Sequence, residues 1–444
     1  MSVTALRSVR MWRTPRWQLA ACAAMHVVND ALFAGLYPLL PLLAVDLGIS
    51  YAQVGSIKTV FSGSSSLFQV PAGMAAERVG EHLLLAIGTG WVGVGLMAMA
   101  LAAGFWPLLA LTLLAGLGGN VQHPVATSMV SRLFDGGRRG SAIGTLNFAG
   151  DVGKVLAPIA VGGAALAYGW RGGFVVLGAI GTIFSLLYLI GVPQSPALAA
   201  DADSAQARER GNRPGSAERQ GRPHSLAPSP PGDGKTPLTA VPSPERPSTP
   251  ATVVNGSGGW GIREPGAFAA LTAIGVLDAA ARGASLTFIP FLLQAKGLDA
   301  ASMGFYFAVL FGAGAAGKFV CGPLGDRYGS VATIAVTELV TAGALLGLLG
   351  APAGWVLAAL LPLGFVLNGT SSVLYAAVAG LVETRRRARG YGLYYTCSQM
   401  ASALAPVLYG LLADRAGLPT TFVAMAAVTA LIVPLTLVAG RGLR

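Results

Sequence analysis

Charge is what this chain has least of: Asp, Glu, Lys and Arg together make up 11% of its 444 residues, against about a quarter in soluble domains. With 53% hydrophobic residues and a mean hydropathy of +0.62, that scarcity excludes a soluble chain of two or three domains. Cysteine is nearly absent too. Cys22, Cys321 and Cys397 sit in separate apolar runs without metal-ligand spacing, which excludes a disulfide scaffold or zinc module and leaves them as small packing residues. The alternating apolar and polar pattern of a membrane β-barrel is missing. So are a phosphate-binding glycine loop, a Ser-His-Asp spacing and a metal constellation, so neither an enzyme nor a cofactor is expected.

What is present is a succession of apolar runs of bilayer-crossing length, about 20 residues each. They fall at 17–45, 53–76, 83–103, 107–133, 141–168, 172–193, 266–294, 302–323, 331–350, 354–381, 390–412 and 420–439. Backbone groups in hydrocarbon must be satisfied within their own element, so these runs predict twelve transmembrane helices and an all-α membrane protein. The four arginines before residue 17 imitate a signal peptide, but the span that follows is long, polar at Asn29-Asp30 and echoed in the second half. It is read as a retained first helix.

The net charge of +11 raises the question of nucleic acid. With the N-terminus inside, most of the 30 basic residues fall in cytoplasmic segments and three fall outside (Arg171, Lys296, Arg415). This is the positive-inside distribution, so no nucleic-acid partner is expected.

The chain is a duplication. Gly322-Pro323-Leu324-Gly325-Asp326-Arg327-Tyr328-Gly329 has a degraded echo in Gly73-Met74-Ala75-Ala76-Glu77-Arg78-Val79-Gly80. Aligning the two superimposes Asn29 on Asp278, Gly55 on Gly304 and Arg78 on Arg327 without a gap. With a shift of one residue, Asn120 falls on Asn368 and Pro158 on Pro406. Four segments follow: a cytoplasmic tail over 1–16, a six-helix bundle over 17–193, a linker over 194–262 and a second bundle over 263–444. The linker is rich in Pro, Ser, Gly and Arg and too poor in apolar residues to fold, which predicts disorder.

Polar residues inside the spans are the functional candidates. Insertion scales put the cost of a carboxylate at bilayer depth at about 2.5–3.5 kcal/mol, so each must face protein or a water-filled cavity. His26, Asn29 and Asp30 share one face of the first span, with Phe33 and Tyr37. Asp30 fits a proton acceptor or substrate contact, and equally an interhelix hydrogen bond. Lys58 lies on a polar stripe of the second span and needs an anion, a carboxylate or a route to water. In the fourth span Pro124, beside Gln122 and His123, predicts a kink. Asp151 and Lys154, three residues apart in the fifth span, fit a static pair or one that opens on binding; Asp278 and Arg282 in the seventh pose the same choice. Lys318 reads as a snorkelling residue near a helix end, and Glu338 has no evident partner. Asn368 and Tyr375 in the tenth span add hydrogen-bonding and aromatic surface. Ionisable groups concentrate in the first half, where proton coupling is expected.

Two six-helix repeats, a long middle linker and Gly-x-x-x-Asp/Glu-Arg-x-Gly after the second and eighth spans together resemble the major facilitator superfamily. The resemblance implies two pseudo-symmetric bundles that rock about a midplane site. It makes Glu77, Arg78, Asp326 and Arg327 latch residues of a cytoplasmic gate, with Glu77 standing where aspartate is usual. Ala157-Pro158 followed by Gly162-Gly163 approximates the antiporter signature of that superfamily, without the glycine before the proline. His26-Val-Val-Asn29-Asp30 and Gln122-His123-Pro124 are similar to the fosmidomycin-resistance branch of drug exporters. That branch implies a monomeric, multi-pass protein of the bacterial inner membrane with both termini cytoplasmic. It would export a small polar, anionic solute such as an antibiotic or siderophore in exchange for protons. Asp30, Asp151 and Lys154 would then serve coupling, and His26, Asn29, Lys58, His123, Asp278, Arg282, Asn368 and Tyr375 the substrate cavity. Import of an organic acid or nutrient complex by proton symport uses the same residues, and a transporter-like sensor signalling through the linker is a third reading.

Overall fold

The structure, a computed structural model, describes residues 14–67, 71, 75–76, 79–119, 121–134, 138–192, 262–383 and 387–440. The N-terminal tail up to residue 13, Glu77, Arg78, Asn120, Arg385, Arg386 and the expected linker, apart from Ile262, lie outside the described residues.

Among those described, the chain is helical throughout, relieved by one isolated antiparallel bridge between Ile262 and Val382. Helix α1 (Pro15–Ala34) passes through a 3-10 turn (Tyr37–Leu39) into α2 (Leu40–Leu47), and the two together form the first crossing. Pro38 and Pro41, which cannot donate a backbone hydrogen bond, sit where the helix changes character. Then follow α3 (Tyr51–Leu67), α4 (Glu81–Met99), α5 (Phe105–Leu117), α6 (Gln122–Leu133) and α7 (Arg138–Gly191). The second half comprises α8 (Pro265–Ala295), α9 (Ala300–Tyr328), α10 (Ser330–Gly350), α11 (Val356–Leu381), α12 (Arg387–Ala430) and α13 (Ile432–Ala439).

Helices α7 and α12 each cross twice. Gly169 (φ 65°) and Gly417 (φ 80°) turn them back in a conformation that side chains with a Cβ rarely adopt. The two glycines are one repeat apart, so the hairpin was duplicated with the rest. Among the described residues nine helical stretches are long and apolar enough to cross a membrane; α7 and α12 can each cross twice, and α3, at 17 residues, stands at the remaining one of the twelve expected crossings.

The expected kink at Pro124 is a complete break. Helix α5 ends at Leu117, and α6 restarts at Gln122, which places Pro124 in its first turn, where a missing N–H costs nothing. The fourth crossing is therefore two half-helices, and Gln122 anchors the second by donating to Thr89 Oγ1 at 3.0 Å.

The apolar core shows which end of the molecule is shut. The largest buried cluster joins both halves at the end opposite the chain termini, with Leu39, Leu43 and Phe174 packed in one cluster with Phe288, Phe307 and Phe422. Toward the termini the core divides into two separate clusters, one around Met25, Val130 and Leu146 and the other around Leu271, Val378 and Ile432.

The closed end rests on close backbone approach. A Cβ on Gly55 of α3 would collide with the carbonyl of Pro406 in α12, and a Cβ on Gly304 of α9 with the carbonyl of Pro158 in α7. These are the residues that the duplication superimposes, so the two seams are copies of one contact. Asp414 of α12 reinforces the first seam as an N-cap borrowed from the other half: its carboxylate accepts from Ser50 Oγ at 2.7 Å, Tyr51 N at 2.8 Å and Ala52 N at 3.0 Å. Among the described residues no comparable ion pair joins the halves at the termini end. Asp326 and Arg327 are exposed there, with the Arg327 guanidinium 5.4 Å over the Tyr328 ring.

Gly55→Val and Asp414→Ala should each loosen the closed end. A membrane-impermeant thiol reagent acting on a cysteine placed at Tyr37, with the three native cysteines replaced by serine, should label these variants several-fold faster than the parent; equal rates would remove the seam as the seal.

Candidate functional site

Two buried carboxylates and two half-buried lysines form one chain of charges through the middle of the molecule. The Lys154 ammonium lies 3.0 Å from Asp30 Oδ2 and 3.1 Å from Asp151 Oδ1. Asp151 in turn accepts from Lys318 Nζ at 2.7 and 2.8 Å. The chain thus runs from α1 through α7 to α9 and ties the first half to the second. Lys318 does not snorkel, as its position in the sequence suggested; it reaches inward to the carboxylate of the opposite half. The pair Asp151-Lys154 is likewise not self-contained, because each member has a second partner on another helix.

Two imidazoles complete the first-half end of the chain. His26 Nε2 is 3.7 Å and His123 Nε2 3.8 Å from the Asp30 carboxylate, and the rings meet edge to face with centroids 4.9 Å apart. Asn29 donates to Asp30 Oδ1 at 3.3 Å. His26 is buried and its Nδ1 has no partner, whereas the His123 side chain is 48% accessible. Ligand atoms of His26, Asp30 and His123 fall within 4.8 Å of one another, the spacing of a metal site. The Lys154 ammonium already occupies the Asp30 carboxylate and would repel a cation there, and the two imidazoles stand within ion-pair distance of that carboxylate without hydrogen-bonding it.

A cavity of about 230 Å³ opens beside this chain, between the halves. The first half contributes Asp30, Tyr37, Lys58, His123 and Lys154; the second contributes Arg282, Asn368 and Gln399. Lys58 is only 6% exposed. It donates to Ser62 Oγ at 2.9 Å and lies 4.9 Å over the Tyr37 ring, and among the described residues no carboxylate pairs with it. The Nδ2 of Asn368 is buried without a partner.

The remaining candidates stand back from the cavity. Asp278 is buried and pairs with Arg282 at 3.5 Å; Glu338 is also buried, and its Oε1 has no hydrogen-bond partner among the described residues. Tyr375 is stacked on Tyr395 with centroids 4.9 Å apart, in a tyrosine cluster with Tyr394 and outside the cavity lining. The sequence reading missed Lys318 and Asp414 as partners across helices, because pairing at separations of more than 100 residues leaves no local spacing. For Lys318 a signal existed: it was one of the few basic residues inside a span.

Known proteins extend this picture. The family model described as Major Facilitator Superfamily matches residues 22–253 and 271–441. The "Fosmidomycin resistance protein" of Escherichia coli (strain K12) is 32% identical over 147 residues, which is 33% of this chain and 36% of that protein. The "Probable sulfoacetate transporter SauU" of Cupriavidus necator is 25% identical over 391 residues, covering 85% of this chain and 82% of that one. Among solved structures, a bacterial homolog of the human lysosomal transporter Spinster, in an inward-facing and occupied conformation, superimposes with a TM-score of 0.73 at 16% identity, over 96% of this chain and 97% of that one.

Lys318→Gln leaves Asp151 with Lys154 as its remaining partner, so it should lower the melting temperature of the detergent-purified protein by less than stranding a buried charge outright, which costs about 3–5 kcal/mol, and adding Asp151→Asn should restore part of the loss. A double variant no more stable than the single would show that the two residues are not coupled.

Proposed function

We propose that this chain, which belongs to the major facilitator superfamily and is thus a multi-pass membrane transporter and not an enzyme, carries a small anion in exchange for or together with protons. The observation that carries the proposal is Lys58. A buried ammonium with no carboxylate partner leaves the cavity with positive charge to spare, and Lys154 and Arg282 line the same space. An anionic solute supplies the missing counter-charge, held by charge-assisted hydrogen bonds. Sulfoacetate, named for the relative that aligns along most of the chain, is an anion by chemistry.

The coupling proton belongs on Asp30. As long as Asp30 is ionised, it holds Lys154. Protonation neutralises the carboxylate and frees the ammonium for the substrate or for Asp151. Either move redistributes charge along the chain to Lys318, the bond that must break for the halves to part at this depth. A switch assembled from ion pairs in this way is driven by differential charge in its two states.

Export by antiport from the bacterial inner membrane is the first reading of direction, supported by the His26-Val-Val-Asn29-Asp30 and Gln122-His123-Pro124 motifs and by the alignment to a fosmidomycin resistance protein. Import by symport is the second. It is favoured by the sign of the linkage, since a proton on Asp30 makes Lys154 available and so helps an anion to bind.

In everted vesicles, Lys58→Gln should raise the KM for a transported organic anion about tenfold or more, the equivalent of about 1.5–3 kcal/mol for one charged hydrogen bond. Asp30→Asn should abolish the response to an imposed pH gradient. Transport that ignores the gradient in the parent, or full coupling in Asp30→Asn, would refute the role of Asp30; the sign of gradient that drives accumulation distinguishes the two directions.

A further inference from the structure

Tyr37 belongs both to the cavity lining and to the core cluster that shuts the closed end. It opens the 3-10 turn between α1 and α2, with prolines at 38 and 41, so its place depends less on a helical ladder than on what meets its ring. Groups from both halves do. The rings of Phe307 and Phe311 in α9 have centroids 6.0 and 6.2 Å from that of Tyr37, and Phe307 lies within 11° of parallel to it. The Lys58 ammonium of α3 stands over the same ring at 4.9 Å. Lys58 is buried, donates to Ser62 and has no carboxylate within ion-pair distance among the described residues. The π faces of Tyr37 and, at 5.9 Å, Phe61 give it negative potential in place of a counter-ion. The gapless alignment that superimposes Gly55 on Gly304 also superimposes Lys58 on Phe307. Equivalent positions of the repeat thus meet one ring, with an ammonium in the first half and a phenyl group in the second.

We infer that Lys58 and Tyr37 form a catch on the closed end: the ammonium holds the ring against Phe307 and Phe311, and its withdrawal frees the ring. The phenyl contacts are neutral and answer to no charge, whereas the ammonium does. An anion at Lys58 is a stronger partner than a π face and takes the ammonium over, so the substrate weakens the closed end as it binds. Tyr37 is then the positioning residue through which the bound anion acts on the gate. This release depends on the proposed binding of an anion at Lys58; the catch itself does not.

Ser402→Cys in the cavity lining, in protein whose three native cysteines are serine, reports the state of the catch. A membrane-impermeant thiol reagent is added to whole cells or to inverted vesicles, whichever protects a C-terminal tag from added protease, so that it arrives at the closed end. Without ligand, Lys58→Met and Tyr37→Leu should each raise the labelling rate several-fold over the parent. The double variant should be no faster than the faster single, and Tyr37→Phe, which keeps the ring, should label at the parent rate. From the open end none of these variants should label faster. A parent rate in either Lys58→Met or Tyr37→Leu, or multiplied rates in the double variant, would overturn the catch. So would a fast Tyr37→Phe, or equal acceleration from both ends, the mark of general loosening. The organic anion used to measure the KM should speed labelling of the parent and of Tyr37→Phe but not of Lys58→Met; with the ligand-free rates as expected, lack of that response would overturn the release. An unchanged KM in Lys58→Gln would sink anion binding at Lys58 and leave the catch to be decided by its ligand-free rates.

Discussion

A charge in hydrocarbon needs a partner, and in this protein the partners are on other helices. The chain from Asp30 through Lys154 and Asp151 to Lys318 satisfies that need by threading three helices and both halves, with Lys154 and Asp151 each holding two partners. Helix packing answers to the same requirement. The broken fourth crossing brings His123 to the Asp30 carboxylate at mid-depth, and the closed apolar core at one end leaves the charged middle facing a cavity. Irregular backbone at this depth is tolerated because it borders protein and cavity instead of lipid.

The two halves use their charges differently. The first half holds Asp30, Lys154 and Asp151 in line, with imidazoles at one end and the Lys58 ammonium nearby, and the line ends on Lys318 of the second half, which also keeps Asp278 with Arg282 near a tyrosine cluster. Duplication supplied equal frameworks, with Asn29 in one where Asp278 stands in the other, and later substitution gave each its own electrostatics. The cavity between them is thus lined by a rim of ions on one side and by a guanidinium with hydrogen-bonding amides on the other.

Much of the architecture was legible in the sequence, because the membrane imposes it residue by residue. Span length and the internal repeat are local or periodic quantities. The polar face of the first span was legible for the same reason, and it holds Asp30 and His26 as expected. Partners were not legible. Lys318 looked like a helix-end residue because its counterpart lies in a distant helix, and only packing decides which distant helices touch. Proline was legible as an interruption at Pro124, though not as a full break, since the glycines before it had to release the helix as well.

The seam contacts have a consequence for descent. In a homodimer of a single six-helix unit, one glycine and one proline would meet twice, related by a twofold axis, and any substitution would strike both contacts at once. Joined in one chain, the contacts of Gly55 with Pro406 and Gly304 with Pro158 occupy separate positions. They are inherited from one ancestor yet free to diverge, and Asp414 records that divergence: its equivalent one repeat earlier is Leu166, so only one of the two seams acquired an acidic clasp.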